Sequence, residues 1–415
     1  MGTTIFGKVV TTSLDYAHPR RPLPVRLFNR VARARWRPLY PEHLLDRARR
    51  ATGLSDLGDE WILEPLRVLI ASINEEANLH PLGRLIQARR IEGLLAAHLR
   101  TRAALAAHPR IRDEKIERII VIAGLQRTGT TTLHRLIASD QRIRAMRSWE
   151  ALSPMPARGD HGTDNAKRIA QAKRAQKMLG YLSPDFFAVH PIEYDAPEED
   201  ILLLDHCFMS QSWEALLRVP SYAKWLESQD HERAYRYLED VLKLMVRGGQ
   251  ETSWVIKSPH HAEYLDVVLK VFPQAHVVLT HRDPLVATPS FLSMVAHGWG
   301  LSSDVIDTGE IASHWVAKIE RMMRRVLAVR EAADQARFID VSYDDLVQNP
   351  IDELVRIYER AGIEFDEGAR KSAEATSRAN PQHRHGRHRY DLERFGLSRD
   401  ALDERLGFYR QRPVK

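Results

Sequence analysis

The residues best equipped for chemistry lie between Arg118 and Ile137, in the segment RIIVIAGLQRTGTTTLHRLI. Residues 119–123 are apolar and mostly β-branched, which is typical of a strand buried on both faces of a parallel sheet. After the turn at 124–129, apolar residues recur at helical spacing. A strand, a glycine turn and a helix direct free backbone N–H groups and a positive helix end at a phosphate-like anion. The segment therefore predicts an anion-binding loop.

This loop differs from that of nucleotide triphosphatases at one decisive position. Their pattern, G-x-x-x-x-G-K-[ST], uses the lysine to reach the outer phosphates. Here Gly124 and Gly129 have the same separation, but Thr130 occupies the lysine position. The cation, Arg127, lies inside the loop instead. We therefore expect a bound anion without the usual equipment for ATP hydrolysis, and a kinase or ATPase with a degenerate loop is the alternative enzyme.

Two further apolar strands are predicted to end in polar clusters. The strand at 254–256 runs into Lys257, and the strand at 276–280 is followed by Arg282. Because the strands are joined by a helical crossover, they are expected to be parallel, with both clusters at the carboxyl edge where such sheets bind ligands. Ser290 follows Arg282 by eight residues, so the Arg282 guanidinium and the Ser290 hydroxyl could both donate hydrogen bonds to one dianion.

The loop sequence QRTGTTTL resembles the phosphosulfate loop of the sulfotransferases, roughly P-[KR]-[ST]-G-T-T-x-L, with Gln126 in place of the proline. The resemblance covers about 117–350 and implies an α/β fold with a P-loop-like central parallel sheet flanked by helices. It implies 3′-phosphoadenosine 5′-phosphosulfate as co-substrate, with no metal required, unlike phosphoryl transfer from a magnesium nucleotide. The residues implied to hold its 5′ end are Arg127, Thr128, Gly129, Thr130, Thr131 and Thr132.

The resemblance assigns roles to residues at three strand ends. Lys257 is implied to stabilise the negative charge that builds up in the transition state of sulfuryl transfer. Arg282 and Ser290 are implied to hold the 3′-phosphate of the donor. Tyr343, which follows a predicted strand at 338–341, is implied to border the adenine.

Two residues are candidates for the general base. Glu150 follows the loop helix, as does the catalytic carboxylate of some sulfotransferases that act on protein tyrosine, and a short strand over 143–149 is expected to carry it. His260 lies near the base histidine of cytosolic sulfotransferases, one residue out of register, and is the first choice. The alternatives are a surface glutamate and a histidine that caps a helix.

Two charged segments have more than one interpretation. The run 197–200, Pro-Glu-Glu-Asp, resembles a metal site, but it also has the composition of the first turn of a helix, which we prefer. Near the C-terminus, the segment 380–390 concentrates Arg384 and Arg387 among histidines. Sulfotransferases close the nucleotide with a basic segment near the C-terminus, so these arginines are implied to bind the donor, although the familiar R-K-G pattern is missing.

The composition is that of an ordinary globular protein, and the net charge of +6 suits an anionic ligand. A single cysteine, Cys207, excludes an intrachain disulfide framework. No basic tract interleaved with aromatics indicates nucleic-acid binding, and no apolar run predicts a transmembrane segment. A cytoplasmic location is therefore expected. The basic amphipathic pattern at 26–36 has two interpretations: a helix that suits weak attachment to a membrane surface, or a solvated segment packed against its own domain, which we prefer.

We divide the chain into a helical N-terminal extension, residues 1–115, and a sulfotransferase-like α/β domain, residues 116–415. A helical insert at about 154–250 is expected to cover the acceptor. The predicted function is sulfuryl transfer to a hydroxyl or amine of an unidentified acceptor, a small molecule, lipid or sugar. A catalytically inactive nucleotide-binding protein is the alternative outside the enzymes.

Overall fold

The computed structural model of the chain describes residues 3–5, 8–10, 12–33, 37–156, 161–246, 253–379 and 391–410. Within these ranges the strands are β1 (Thr3–Ile5), β2 (Lys8–Val10), β3 (Arg118–Gly124), β4 (Ile143–Arg144), β5 (Ser253–Lys257), β6 (Ala275–His281) and β7 (Phe338–Ser342). Strands β1 and β2 form an antiparallel hairpin. The other five form one parallel sheet in the order β4-β5-β3-β6-β7. The predicted α/β fold with a central parallel sheet is confirmed.

Helices surround this sheet and supply most of the described residues. They are α1 (Leu23–Ala32), α2 (Pro41–Thr52), α3 (Leu63–Glu75), α4 (Pro81–Ala107), α5 (Thr130–Ile137), α6 (Ser148–Leu152), α7 (His161–Leu182), α8 (Pro184–Val189), α9 (Ile201–Leu204), α10 (Ser212–Leu216), α11 (Pro220–Glu227), α12 (Glu232–Met245), α13 (His260–Glu263), α14 (Leu265–Val271), α15 (Pro284–Ser302), α16 (Thr308–Ala332), α17 (Tyr343–Gln348), α18 (Pro350–Arg360), α19 (Glu367–Ala379) and α20 (Arg399–Arg410). None of these helices combines the length and the apolar character needed to cross a bilayer.

The centre of the sheet is β3, whose side chains alternate between two hydrophobic cores. Ile119, Val121 and Ala123 belong to the larger core, and Ile120 and Ile122 belong to the smaller one. Because both faces of the strand are buried, every position from 119 to 123 must be apolar. The unbroken apolar run in the sequence therefore has a direct structural cause.

The strand register brings the site-forming strand ends to one edge of the sheet. Ile122 of β3 pairs with Lys257 at the end of β5, and Gly124 pairs with Thr280 near the end of β6. Strands β5 and β6 thus lie on either side of β3 and run parallel to it, as predicted. Strand β7 adds the next carboxyl end beside β6.

The N-terminal helices α2, α3 and α4 share a hydrophobic core with the sheet. Helices α2, α3 and α4 confirm the helical pattern predicted for this region, and Ile70 and Leu95 belong to the same core as Val121 of β3. The domain boundary at residue 115 stays a prediction. Helix α1 begins at Leu23, three residues earlier than predicted, and ends at Ala32; residues 34–36 lie outside the described ranges.

Two local predictions are wrong. The strand expected over 143–149 is only Ile143–Arg144, and Glu150 lies instead on the short helix α6. The run 197–200 does not form the first turn of a helix, because Pro197 makes an isolated antiparallel bridge with Arg147 and α9 begins only at Ile201. Both errors have one cause: segments distant in the sequence pair with each other here, and this pairing overrides local preference.

Candidate active site

The loop between β3 and α5 has a backbone shaped for anion binding. Arg127 has φ of 68° and Gly129 has φ of 91°, so both adopt the left-handed region. This conformation is rare for a residue with a side chain and marks a functional turn when the surroundings enforce it. The Thr128 hydroxyl contributes by donating to the Leu125 carbonyl at 2.6 Å.

Close packing explains why glycine stands at each end of the loop. A Cβ on Gly124 would lie 2.2 Å from Oγ1 of Thr280, which itself lies 2.6 Å from Oγ1 of Thr128. A Cβ on Gly129 would lie 3.1 Å from the ring of Tyr343. Helix α5 begins at Thr130 without a side-chain cap, so its first N–H groups and its positive end face the loop mouth.

Four predicted donor-binding residues meet at this loop. The Arg127 Nε donates to Oγ of Ser290 on α15 at 3.0 Å, and Nη1 of Arg282 donates to the Arg127 carbonyl at 2.8 Å. The Arg282 guanidinium lies over the ring of Tyr343, 3.9 Å from its centroid. We call Arg127, Ser290, Arg282 and Tyr343 the donor cluster. Two fixed positive charges and a hydroxyl thus lie side by side at the carboxyl edge of the sheet.

A cleft of about 750 Å³ opens beside the donor cluster. Arg282 and Tyr343 line it on one side, and Tyr409 and Arg410 of α20 line it on another. This volume is in the range of pockets that take nucleotide-sized ligands. The cleft therefore extends the donor cluster toward the C-terminal helix.

Lys257 reaches the loop from the neighbouring strand end. It is the last residue of β5, and its side chain is only 4% exposed. Its Nζ donates to Oε1 of Glu199 at 2.6 Å and lies 3.5 Å from Oγ1 of Thr131 in the first turn of α5. The ammonium is thus held against the end of α5 that faces the loop.

A buried chain of hydrogen bonds fixes the backbone of Lys257. Its N–H donates to Oδ1 of Asp200 at 2.9 Å, and Asp200 is 1% exposed. His261 Nε2 is hydrogen-bonded to the same Oδ1 of Asp200 at 3.2 Å, and His261 Nδ1 lies 2.9 Å from the Tyr235 hydroxyl. Burial is the largest influence and would raise the pKa of Asp200, but His261, a backbone hydrogen bond and His134 together outweigh it, so the pKa is lowered. Asp200 and His261 therefore support the end of β5, where Lys257 lies.

Glu199 and His190 belong to the site, although neither was predicted as a functional residue. Glu199 contacts Lys257 directly and keeps 22% of its side chain exposed. Burial lowers the pKa of His190, and the carboxylates of Glu198 and Glu199 oppose that shift. The positive charges of Lys257 and Arg127 add to it, so His190 lies within the electrostatic field of the site.

The carboxylate of Glu150, one of the two predicted bases, forms contacts that stabilise the local fold. One carboxylate oxygen accepts the Arg147 N–H at 2.9 Å in a capping box, and the other forms an ion pair with Arg144. These contacts begin α6 and tie it to β4. None of the hydrogen bonds or ion pairs described for Glu150 joins it to the loop or to Lys257.

His260, the other predicted base, is fully buried in an aromatic cluster. Its ring lies 4.7 Å from that of Tyr264 and 5.3 Å from that of His231, centroid to centroid. Burial lowers its pKa well below the ordinary value, and His231 adds to the shift. Within the described residues neither ring nitrogen has a hydrogen-bond partner. This environment argues against the predicted role, because an acceptor has no access to the ring.

Other predicted residues have simpler outcomes. Arg384 and Arg387 lie outside the described residues, so their donor-binding role stays a prediction. Among the described residues, no three His, Cys, Asp or Glu side chains are grouped to hold a metal ion. The signal for Glu199 was present in the sequence as the acidic run at 197–200, but its composition equally suited a helix start.

Comparisons with known proteins agree with the fold. A family model described as the sulfotransferase family matches residues 119–367, which include β3, the loop, Lys257, Arg282 and Tyr343. This match covers more than half of the chain. The chain belongs to the sulfotransferase family.

Two solved structures and one curated relative are similar over long regions. Sulfotransferase STF1 from Mycobacterium tuberculosis is 30% identical, with a TM-score of 0.79 over 89% of this chain and 99% of that one. Sulfotransferase STF9 from Mycobacterium avium is 25% identical, with a TM-score of 0.81 over 90% and 97%. The omega-hydroxy-beta-dihydromenaquinone-9 sulfotransferase Stf3 of Mycobacterium tuberculosis is 26% identical over 260 residues. Those residues are 59% of this chain and 62% of Stf3, so the match spans about six tenths of that relative.

Proposed function

We propose that this protein transfers a sulfuryl group from 3′-phosphoadenosine 5′-phosphosulfate to a hydroxyl or amine of an apolar acceptor. The observation that carries the proposal is the meeting of the donor cluster with Lys257 and Glu199 around a single loop. Membership of the sulfotransferase family supports the reaction class.

The donor cluster suits the two anionic ends of this nucleotide. The left-handed loop, the free N–H groups of α5 and Arg127 would hold the 5′-phosphosulfate. Arg282 and Ser290 would hold the 3′-phosphate, since a guanidinium and a hydroxyl can donate to one dianion together. The Tyr343 ring, which already carries the Arg282 guanidinium, would border the adenine.

Sulfuryl transfer needs a cation and a proton acceptor at the reacting atoms, and Lys257 and Glu199 supply both. The bond from sulfur to the bridging phosphate oxygen breaks, and that oxygen keeps the electron pair. The Lys257 ammonium would neutralise this developing charge. The acceptor oxygen or nitrogen forms the new bond to sulfur, and its proton would pass to the Glu199 carboxylate. We prefer Glu199 to Glu150 as base because Glu199 pairs with the Lys257 ammonium, whereas Glu150 pairs with Arg144.

An apolar acceptor is proposed from two observations. Stf3, which is similar to this chain, is named for transfer to a dihydromenaquinone, a lipid-like alcohol. In this protein three large apolar side chains stand exposed on the helices before His190, namely Leu152, Met178 and Tyr181. Exposed apolar side chains of this kind would suit contact with an apolar acceptor.

A transfer assay tests the reaction, and a titration separates it from the alternatives. Full-length protein with donor labelled in the sulfuryl group should move the label to apolar alcohols from an acceptor panel, and Lys257→Ala should abolish the transfer. Binding of 3′-phosphoadenosine 5′-phosphate should be at least about 100-fold tighter than binding of ATP. Tighter binding of ATP would favour a kinase or ATPase. Nucleotide binding without transfer to any acceptor would favour a non-catalytic binding protein.

A further inference from the structure

Helix α1 presents an apolar stripe to the outside of the molecule. Leu23 is 64% exposed, Leu27 54% and Val31 79%, and Phe28 is exposed as well. At 3.6 residues per turn these side chains fall within an arc of about 140° on one side of the helix. Isolated exposed apolar residues are ordinary, but four on three successive turns of one helix form a patch.

Arginines border this stripe. Arg26 and Arg30 are exposed at the edge of the apolar arc, and Arg33 follows the helix. Within the described residues none of these three forms an ion pair, whereas Arg20 and Arg21 are paired with Asp185 and Asp304. The sequence from residue 16 to residue 41 contains seven arginines and no acidic residue. The surface around α1 is therefore strongly positive.

The opposite side of α1 is anchored to the body of the protein. Val25 and Asn29 are buried, and Oδ1 of Asn29 accepts the Leu82 N–H of α4 at 2.9 Å. The segment before the helix is anchored too: Nη1 of Arg21 donates to the Gly300 carbonyl at 2.7 Å, and the Tyr16 hydroxyl lies 2.7 Å from Oγ of Ser293. Residues 300 and 293 lie on α15, the helix that carries Ser290. The outward direction of the apolar stripe is therefore enforced by the fold.

The combination of an apolar stripe with flanking arginines indicates what would cover it. Ten residues extend only about 15 Å, too short to cross a bilayer but sufficient to lie within its surface. In a symmetric dimer the same patch would meet itself, and the arginines would face each other without an acidic residue between 16 and 41 to neutralise them. A nucleic acid would neutralise the arginines and leave the apolar stripe against phosphates. An anionic lipid surface satisfies both features.

We propose that α1 docks the enzyme onto an anionic lipid bilayer, with Leu23, Leu27, Phe28 and Val31 inserted at the level of the head groups and Arg26, Arg30 and Arg33 against lipid phosphates. This contact does not depend on the proposed chemistry, since it uses none of the residues placed at the active site. It would position the enzyme where apolar acceptors are dissolved.

Co-sedimentation of the full-length chain with vesicles tests the proposal. Vesicles with about 30% phosphatidylglycerol in phosphatidylcholine should bind the protein, and pure phosphatidylcholine should not. Raising the salt from about 0.1 M to about 0.5 M should weaken binding, because screening acts on the arginines. Leu27→Glu/Val31→Glu should lower the partition coefficient by at least about 10-fold. Arg26→Gln/Arg30→Gln should lower it by about 10- to 30-fold.

Matched controls separate α1 from general charge and folding effects. Val347→Glu adds a charge at an exposed apolar position of another helix, and Arg110→Gln/Arg360→Gln removes two exposed arginines elsewhere. Both should bind vesicles like the wild type, and all variants should keep the wild-type melting temperature. Equal vesicle binding by the α1 variants and the wild type would overturn the proposal. So would an absence of vesicle binding together with a dimer that Leu27→Glu/Val31→Glu dissociates, since a second copy would then cover the stripe.

Discussion

The two sides of the site are built by different means. The donor cluster, Arg127, Ser290, Arg282 and Tyr343, draws its members from the ends of β3, β6 and β7 and from the helix after β6. The sheet itself places these residues next to one another. His190 and Glu199, which we call the acceptor side, lie instead in the irregular segment 190–200 between α8 and α9.

Long-range backbone pairing holds the acceptor side in place. The Glu198 N–H donates to the Met146 carbonyl at 2.8 Å, and the Trp149 N–H donates to the Tyr194 carbonyl at 2.9 Å. The whole segment thus depends on a second segment about fifty residues earlier in the chain. This segment is not a strand of the five-stranded sheet, which places the donor cluster. The variants below are chosen to separate the two sides.

The largest effect is expected for Lys257→Ala, which removes the cation at the junction of the two sides. We expect kcat to fall by about 10³-fold, because charge on the leaving oxygen loses its partner in the transition state. The affinity for 3′-phosphoadenosine 5′-phosphate, measured by calorimetry, should stay within about 3-fold of wild type. Lys270→Ala, an exposed lysine paired with Glu232, is the control and should change neither value. A wild-type kcat in Lys257→Ala would remove Lys257 from the mechanism.

Glu199→Gln tests the acceptor side by removing the proposed base without changing its volume. We expect kcat to fall by about 10²-fold with nucleotide affinity retained, since general-base assistance is lost. Glu150→Gln is the matched comparison and should leave kcat near wild type, because its carboxylate serves α6. If Glu150→Gln were the inactive variant and Glu199→Gln the active one, the base assignment would be reversed.

Asp200→Asn should lower the free energy of unfolding by more than it lowers the free energy of nucleotide binding. We expect a loss of about 2 kcal/mol of unfolding free energy at pH 7, because His261 loses its buried charged partner. The folded-state pKa of Asp200 is lowered from its usual 3.8, so the carboxylate stabilises the fold above that value. This stabilisation is lost as the pH falls through the lowered folded-state pKa of Asp200. The difference in unfolding free energy between Asp200→Asn and wild type should therefore shrink in that pH range.

Urea unfolding at pH 7 and below pH 4 measures this difference. Asp266→Asn serves as control, since Asp266 is exposed and lies 4.0 Å from its partner Arg325; its effect should be near zero. A stability gap for Asp200→Asn that grew toward low pH would contradict the assigned role of the Asp200 charge.

The smallest effect is expected for Tyr343→Leu on the donor side. Loss of the ring removes the stacking of Arg282 and should weaken binding of 3′-phosphoadenosine 5′-phosphate by about 3- to 10-fold. Tyr343→Phe keeps the ring and should bind like wild type in the same titration. Equal weakening by both variants would assign the effect to the hydroxyl instead.

The difference between the two sides also explains how far the sequence alone could predict the site. Residues 119–123 have to be apolar because both faces of β3 are buried. Lys257 and Arg282 lie at the carboxyl ends of similarly apolar strands. Local pattern therefore predicted the sheet and its carboxyl edge, whereas the donor-binding roles of Arg282, Ser290 and Tyr343 came from the resemblance to sulfotransferases. The left-handed conformation of Arg127 was not predictable, because arginine has no local preference for it.

The acceptor side could not be predicted because its structure is not local. Glu199 and Asp200 have the composition of a helix start, and only the bridge between Pro197 and Arg147 prevents one. His260 resembled a base by position, yet packing against Tyr264 and His231 buries it completely. This packing involves residues at the starts of α12 and α14. A short sequence motif around His260 cannot predict it. The hairpin of β1 and β2 was missed for a different reason: strands of three residues are too short to show a recognisable sequence pattern.

The central claim is that Arg127 and Arg282 hold opposite ends of one doubly anionic nucleotide. Calorimetric titration of 3′-phosphoadenosine 5′-phosphate and of adenosine 5′-monophosphate, each into wild type and Arg282→Ala, tests it most directly. Wild type should bind 3′-phosphoadenosine 5′-phosphate at least about 30-fold more tightly than adenosine 5′-monophosphate. Only the first of these ligands has a 3′-phosphate that can form a charge-assisted contact with Arg282. Arg282→Ala should lose most of this preference while its affinity for the monophosphate stays close to that of wild type. An unchanged preference in Arg282→Ala would contradict the account.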